Sequence, residues 1–219
     1  MSTKSIAILG CTGHVGKNLI YYFGREERFE LVLFSRDKKK IKKIVSENHF
    51  KNNFTLNNYE EFNESKFDVI INCIGISDPA KIESEEKMIM KLTEDFDQLI
   101  LDYLKNNSDV KLINFSSGAV YGEEINSPIN DTTSLNAHSQ YAIAKIQSEI
   151  RHRNLAEFNI IDLRLFSFFS RFMDLSTRFL ISEIISSINQ KKKFITNEFD
   201  FYRDYIHPED LFSLLKKCI

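Results

Sequence analysis

Three observations predict an α/β fold in which a parallel sheet is covered by helices on both faces. Short runs of β-branched and apolar residues recur along the chain. These runs are apolar on consecutive residues rather than alternating, as strands buried on both faces must be. Between them lie stretches whose apolar residues return at helical spacing, and strands that alternate with helices pair in parallel.

The elements follow in order. Ser5 to Leu9 is a buried strand that stops at Gly10. Val15, Leu19, Ile20 and Phe23 then recur at helical spacing. Leu31 to Phe34 is a second buried strand, and Asp37 opens a lysine-rich helix carrying Ile41, Ile44 and Val45. Its lysines read as a solvated face. Phe50 to Leu56 forms a third, weaker strand, and Asp68 to Gly75 a strong fourth one with a glycine stop. Glu83 to Asn106 is one long helix with Met88, Leu92, Phe96, Leu99, Ile100 and Tyr103 on a stripe. Lys111 to Ser116 is the fifth strand, a helix lies within Ser134 to Glu157, and Asn159 to Leu165 is the sixth strand. After Leu165 the pattern loosens. The expected organisation is a Rossmann-type doubly wound domain over residues 1–165, with an abbreviated substrate-binding region over 166–219 packed on it.

Composition narrows the function. The chain has 219 residues, enough to bury a core without disulfides or structural metal. Three prolines and seven glycines are too few for a disordered or collagen-like chain. The net charge of −2 leaves no basic excess for a phosphate backbone, so nucleic acid is not the expected partner. Cys11, Cys73 and Cys218 are scattered, with no Cys/His cluster, which indicates neither a metal site nor a disulfide framework. Sparse, odd cysteines fit a reducing compartment. The longest apolar runs fall far short of a membrane span, and no signal-peptide core precedes Gly10. The expectation is a cytoplasmic protein with no membrane association.

Gly10, Gly13 and Gly16 stand three residues apart at the first strand–helix junction. The first permits a tight turn, the second lets backbone approach a pyrophosphate, and the third lets helix and strand pack closely. The helix N-terminus then offers N–H groups and a positive dipole end to the anion. A dinucleotide is therefore expected here. In NAD binders an acidic residue at the end of the second strand bonds the ribose hydroxyls. This strand ends in Ser35 and Arg36, which can bond and neutralise a 2′-phosphate. That favours NADP, with NAD possible, because Asp37 follows one position later.

Tyr141 and Lys145 sit four apart, on one helix face. An ammonium about 4 Å from the phenol, at an effective dielectric of about 20, favours the phenolate by roughly 4 kcal/mol, or about 3 pKa units. That brings a tyrosine towards neutral pH, where it can exchange a proton with an alcohol or ketone.

Four segments then fall in a recognisable order: the Gly10 loop, Ser116 to Gly122 at a strand end, Tyr141 with Lys145, and Leu163-Arg164-Leu165-Phe166-Ser167. Arg203 to Asp210 follows, with the sequence RDYIHPED. The chain resembles the extended short-chain dehydrogenases/reductases, the nucleotide-sugar epimerase, dehydratase and reductase group, from Ile6 to Leu211. The resemblance implies that Ser117 bonds the reacting oxygen, Tyr141 is the acid/base, and Lys145 binds the nicotinamide ribose. It places Thr12, His14 and Val15 in the loop around the pyrophosphate, and Cys73, Ile74 and Gly75 under the cofactor. It implies substrate contacts at Ser117, Ser167 and Arg203. His207 reads better as a helix cap than as a catalytic group.

There are departures from the family pattern. The family's 4,6-dehydratases carry an Asp-Glu pair where this chain has Gly118 and Ala119, which argues against dehydration. An asparagine common in the long helix is replaced by Leu92 or Thr93, and the family's Phe-Asn is Phe166-Ser167. The expected activity is NADPH-dependent reduction of a nucleotide-linked 4-keto sugar, in the making of cell-surface polysaccharide precursors. The alternatives are a nucleotide-sugar 4-epimerase and a non-catalytic NADP-binding module. A homodimer is expected, through second apolar stripes on the long helix and on the Tyr141 helix (Ile143, Ile146 and Ile150).

Overall fold

In the computed structural model, residues 3–47, 54–76, 82, 86–122, 128–196, 198 and 203–219 are described. The first half of the chain runs β1 (Lys4–Leu9), α1 (His14–Phe23), β2 (Phe29–Phe34), α2 (Lys38–Ser46), β3 (Phe54–Asn57) and β4 (Val69–Asn72). Then come α3 (Glu86–Asn106), β5 (Lys111–Ser117), α4 (Gln140–Arg153) and β6 (Ile160–Leu165). The last part contributes β7 (Ser167–Phe168), α5 (Leu180–Asn189), β8 (Tyr205–Ile206) and α6 (Pro208–Cys218). Short 3₁₀ turns cover Tyr59–Glu64 and Gly118–Tyr121.

The main sheet is six-stranded in the order β3-β2-β1-β4-β5-β6, and every pairing is parallel. This is the doubly wound order whose reversal point lies between β1 and β4, and ligands bind outside the strand C-termini there. Alternate residues face opposite layers. Ile6 and Ile8 join Leu31 and Leu33 in one core cluster, with the apolar faces of α1, α2 and α6. Ala7 and Leu9 join Val32 and Phe34 in the other, with α3 and the aromatic set Phe62, Phe67 and Tyr103.

Several boundaries differ from expectation. β3 extends to Asn57, and residues 50–53 of the expected strand, like 83–85 of the expected long helix, lie outside the described residues. β4 stops at Asn72 rather than Gly75, because the Asn72 side chain accepts the Ile74 N–H at 3.1 Å and turns the chain. The stripe expected on α3 holds at Ile100 and Tyr103, which are buried, and at Phe96 and Leu99, which pack on the same cluster, but not at Met88. Ile89, Thr93, Asp97, Ile100 and Leu104 are buried, whereas Met88 is 58% exposed and Leu92, Phe96 and Leu99 are half-buried. The buried face is wider than that stripe and takes in Asp97, which ion-pairs with Arg151 on α4 at 2.5 Å.

Beyond β6 the chain makes a second, two-stranded parallel sheet, with Ser167 opposite Tyr205 and Phe168 opposite Ile206. α6 is not separate from the Rossmann core, because Leu211, Phe212 and Leu215 are buried in the same cluster as α1. His207 caps α6, its Nδ1 accepting the Glu209 N–H at 3.3 Å. Among the described residues, no helix is long and apolar enough to cross a membrane.

Candidate active site

The glycine loop is built by close contact. Gly10 has φ +71°, and a Cβ there would lie 2.9 Å from the Cys73 carbonyl carbon. Both demands leave only glycine. A Cβ on Gly16 would lie 2.6 Å from the Cys11 Cα and the Gly10 oxygen, so helix α1 closes on the loop only with glycine there. Gly13 caps α1 without a side chain, and the first turn of α1 holds no acidic residue. Its amide donates to the Gly10 oxygen at 3.0 Å. Tyr59 braces this loop, its hydroxyl accepting the Gly10 N–H and donating to the Phe34 oxygen, both at 3.2 Å. Burial pushes the Tyr59 phenol up to about 12, so it stays a donor.

The side chains of the loop divide. Thr12 is half-buried and Val15 packs on the core. His14 does not face out from the loop alone. Its Nε2 lies 2.7 Å from Ser170 Oγ, beyond β7. At the end of β2, Ser35 is buried and its Oγ accepts the Asp37 N–H at 2.9 Å. Asp37 has its carboxylate turned to the Lys40 N–H at 3.0 Å as the cap of α2. Arg36 is exposed. Nearby, burial first and the Lys40 ammonium second hold Lys17 below the usual lysine range, against the pull of Asp174. Crowded cations at this corner suit an anion.

Ser117, Tyr141 and Lys145 converge at the C-terminal ends of β4 and β5. Ser117 ends β5, 8% exposed, and its Oγ accepts the Ala119 N–H at 3.2 Å, leaving its proton to donate. Lys145 is 4% exposed and donates to the oxygens of Phe115 at 2.7 Å and Ile74 at 3.3 Å. An ammonium has three donors, so one remains. Its nitrogen lies 6.0 Å from the centre of the Tyr141 ring. The two carbonyls anchor the ammonium at the strand ends, on the same side of α4 as the Tyr141 ring. Gly75 completes the group: a Cβ on it would be 3.4 Å from Lys145 Nζ and 4.0 Å from the Tyr141 ring. Ser167 is half-buried on β7, and Arg203 is exposed two residues before its partner strand β8.

The residue reading missed what holds α4 in place. Glu149 is 2% exposed, takes the Ser116 hydroxyl at 2.6 Å, and is gripped by Arg164 at 2.9 and 2.6 Å. Arg164 also donates to the Tyr121 hydroxyl at 2.5 Å. A signal was present, since Glu149 follows Lys145 by four and so shares the face of Tyr141 and Lys145. A second polar chain crosses the sheet in register. Asn72 donates to Asn114 at 3.0 Å, Asn114 to Asp162 at 2.7 Å, and His152 meets Asp162 at 2.8 Å. Gly118 is also occupied in a telling way: a Cβ there would come within 2.4 Å of the Phe166 ring, which stacks on Tyr121. Phe166 thus sets an apolar wall over Gly118.

A parallel doubly wound sheet, a glycine loop at its first crossover, and Ser117, Tyr141 and Lys145 at the ends of β4 and β5 form the frame of a nucleotide-cofactor enzyme of the short-chain type. The loop fits a dinucleotide, since glycine at Gly10 and Gly16 lets it fold tightly against Cys73 and Cys11, and the N-terminus of α1 beyond it carries no acidic side chain to repel a diphosphate. The NAD dependent epimerase/dehydratase family model matches residues 6–219, and the chain belongs to that family. Its members are NAD(P)-dependent enzymes of the extended short-chain type. No curated protein matches significantly. Solved structures with the same fold include a UDP-N-acetylglucosamine 4-epimerase from Methanobrevibacter ruminantium in complex with UDP-N-acetylmuramic acid. It has TM-score 0.82 and 19% identity, over 96% of this chain and 71% of that one. A dTDP-glucose 4,6-dehydratase from Bacillus anthracis in complex with NAD has TM-score 0.79 and 18% identity, over 98% and 71%. A UDP-glucuronic acid 4-epimerase from Bacillus cereus, in complex with UDP-glucuronic acid and NAD, has TM-score 0.79 and 17% identity, over 94% and 70%.

Proposed function

We propose that this chain is an NADPH-dependent reductase of a nucleotide-linked 4-keto sugar, acting in the cytoplasm. The observation that carries the cofactor choice is the end of β2. Ser35 and Arg36 stand where an NAD binder has its carboxylate, and Asp37 is spent on capping α2. The wall of Phe166 against Gly118 supports reduction over dehydration, because no acid is left there to protonate a departing hydroxyl.

A bound reduced nicotinamide supplies hydride to the carbonyl carbon. The protein does the rest. Ser117 Oγ, already accepting from Ala119, donates to the carbonyl oxygen and steadies its developing charge. Tyr141 OH gives that oxygen its proton. Lys145, pinned by two carbonyls, keeps its third donor for the cofactor ribose. Thr12, Val15, Cys73 and Ile74 line the cofactor side, and Ser167 and Arg203 the substrate side. The same trio serves a 4-epimerase with a retained cofactor, and the epimerases among the structures of like fold favour that as the second reading.

The test is NADPH oxidation on addition of a nucleotide-linked 4-keto-6-deoxyhexose. Turnover is expected, and Tyr141→Phe should cut it at least about a hundredfold while leaving NADPH affinity unchanged. No NADPH consumption, together with interconversion of UDP-glucose and UDP-galactose, would establish the epimerase instead.

A further inference from the structure

The environment of His14 determines which of its ring nitrogens carries hydrogen. Ser170 is 6% exposed, and its Oγ accepts from Asn18 Nδ2 at 2.8 Å and from the Phe172 N–H at 3.1 Å. Asn18 cannot be flipped, because the same Nδ2 donates to the His14 carbonyl oxygen at 2.8 Å. A hydroxyl oxygen has two acceptor sites and one proton. Both acceptor sites of Ser170 are filled, so its proton goes to His14 Nε2, 2.7 Å away. In neutral imidazole the other nitrogen then bears the hydrogen. Burial first, and the neighbouring Lys17 charge second, lower His14 to about 4, so the ring is neutral at physiological pH. Phe168 holds the ring plane from one side at 4.9 Å.

Nδ1–H has no protein partner among the described residues, and it is not among their buried, unsatisfied atoms. It belongs to the first residue of α1, directly after the glycine cradle, on a helix end without an acidic side chain. We infer that Ser170 holds His14 as an Nδ1–H donor to the diphosphate of the bound dinucleotide. The segment after β7, which belongs to the substrate side of the molecule, thereby positions a cofactor contact. This rests on the dinucleotide reading of the loop. His14 is the binding residue and Ser170 the positioning residue.

Two measurements test it on the intact chain. Ring ¹⁵N spectra of the cofactor-free protein should show His14 protonated at Nδ1, and Ser170→Ala should move that proton towards Nε2. Titration with NADPH should give about ten- to a hundredfold weaker binding for His14→Phe, which keeps the ring against Phe168 but lacks the donor. Ser170→Ala should weaken NADPH in the same direction, and UDP binding should be unchanged in both. Parent spectra with hydrogen on Nε2, or NADPH affinity unaltered in His14→Phe, would overturn the assignment. A loss confined to UDP would overturn it too, by placing the donor on the substrate's diphosphate. If the parent chain binds neither NADPH nor NADH, the dinucleotide reading itself fails and carries the assignment with it.

Discussion

Glu149→Gln is the sharpest test of how α4 carries the catalytic pair. Glu149 accepts from Ser116, from two nitrogens of Arg164 and, at 3.0 Å, from Arg153. The glutamine keeps the shape and one acceptor oxygen but removes the charge. Removing one partner of a buried pair costs about 3–5 kcal/mol, because the other is left uncompensated. Arg164 retains 23% side-chain exposure, which puts the expected cost near the lower end, about 3 kcal/mol. At about 2–4 °C per kcal/mol for a chain of this size, Tm should fall by roughly 6–12 °C. Arg164→Met should cost a similar amount, and the double variant less than the sum, with about 2 kcal/mol of coupling. The pH dependence has a definite sign. Burial pushes the Glu149 carboxyl up, but the Arg164 and Ser116 hydrogen bonds outweigh it and hold the group below the usual carboxylate range. The folded state thus binds this proton less tightly than the unfolded chain. The stabilisation is complete above the unfolded value of about 4.3 and is lost as pH falls through the folded one. The gap between parent and Glu149→Gln should narrow below that pH. Denaturant melts of the four proteins at pH 7 decide it. A Glu149→Gln cost under about 1 kcal/mol, or strict additivity in the cycle, refutes the argument.

Three other outcomes follow from the structure. Arg36→Asp should weaken NADPH by several-fold to a hundredfold, about 1–3 kcal/mol, and erase its advantage over NADH; equal affinity for both cofactors in the parent defeats the β2 argument. Because the folded chain keeps His14 neutral down to about 4, the unfolded chain binds more protons below pH 6.5, and stability falls with pH there. Relative to His14→Phe, the parent should lose about 2 kcal/mol between pH 6.5 and 5, and parallel stability curves would contradict this. Met88 on α3 and Ile150 on α4 are 58% and 49% exposed, so an isologous pairing of these helices is expected to give a homodimer. Sedimentation should give about twice 25.6 kDa for the parent and the monomer mass for Met88→Lys with Ile150→Glu, whereas a monomeric parent would exclude the pairing.

Much of the frame was legible because its causes are local. Consecutive apolar residues mark strands buried on both sides, and three glycines at fixed spacing mark a close backbone approach. Asp37 was ambiguous on paper, since an acid at that point serves equally as a ribose ligand or a helix cap. Its bond to the Lys40 amide is visible only once α2 is formed. The polar part of the buried face of α3 was hidden for a related reason. Periodicity counts apolar residues, and Asp97 is buried because Arg151 from another helix neutralises it.

The sequence by itself determined the strand–helix alternation, the parallel sheet, the cradle and the Tyr141–Lys145 spacing, since each depends on steric rules within a few residues. Only the tertiary structure decided what those groups are bonded to. Lys145 reaches for Phe115 and Ile74, which lie 30 and 71 residues away. Glu149 meets Ser116 and Arg164, and His14 meets Ser170 across 156 residues. A hydrogen bond requires donor and acceptor within about 3 Å, and contacts between distant segments are settled by chain packing rather than by local spacing. The residue types of the site could therefore be read along the chain, whereas its protons, tautomers and charge pairs exist only in the fold.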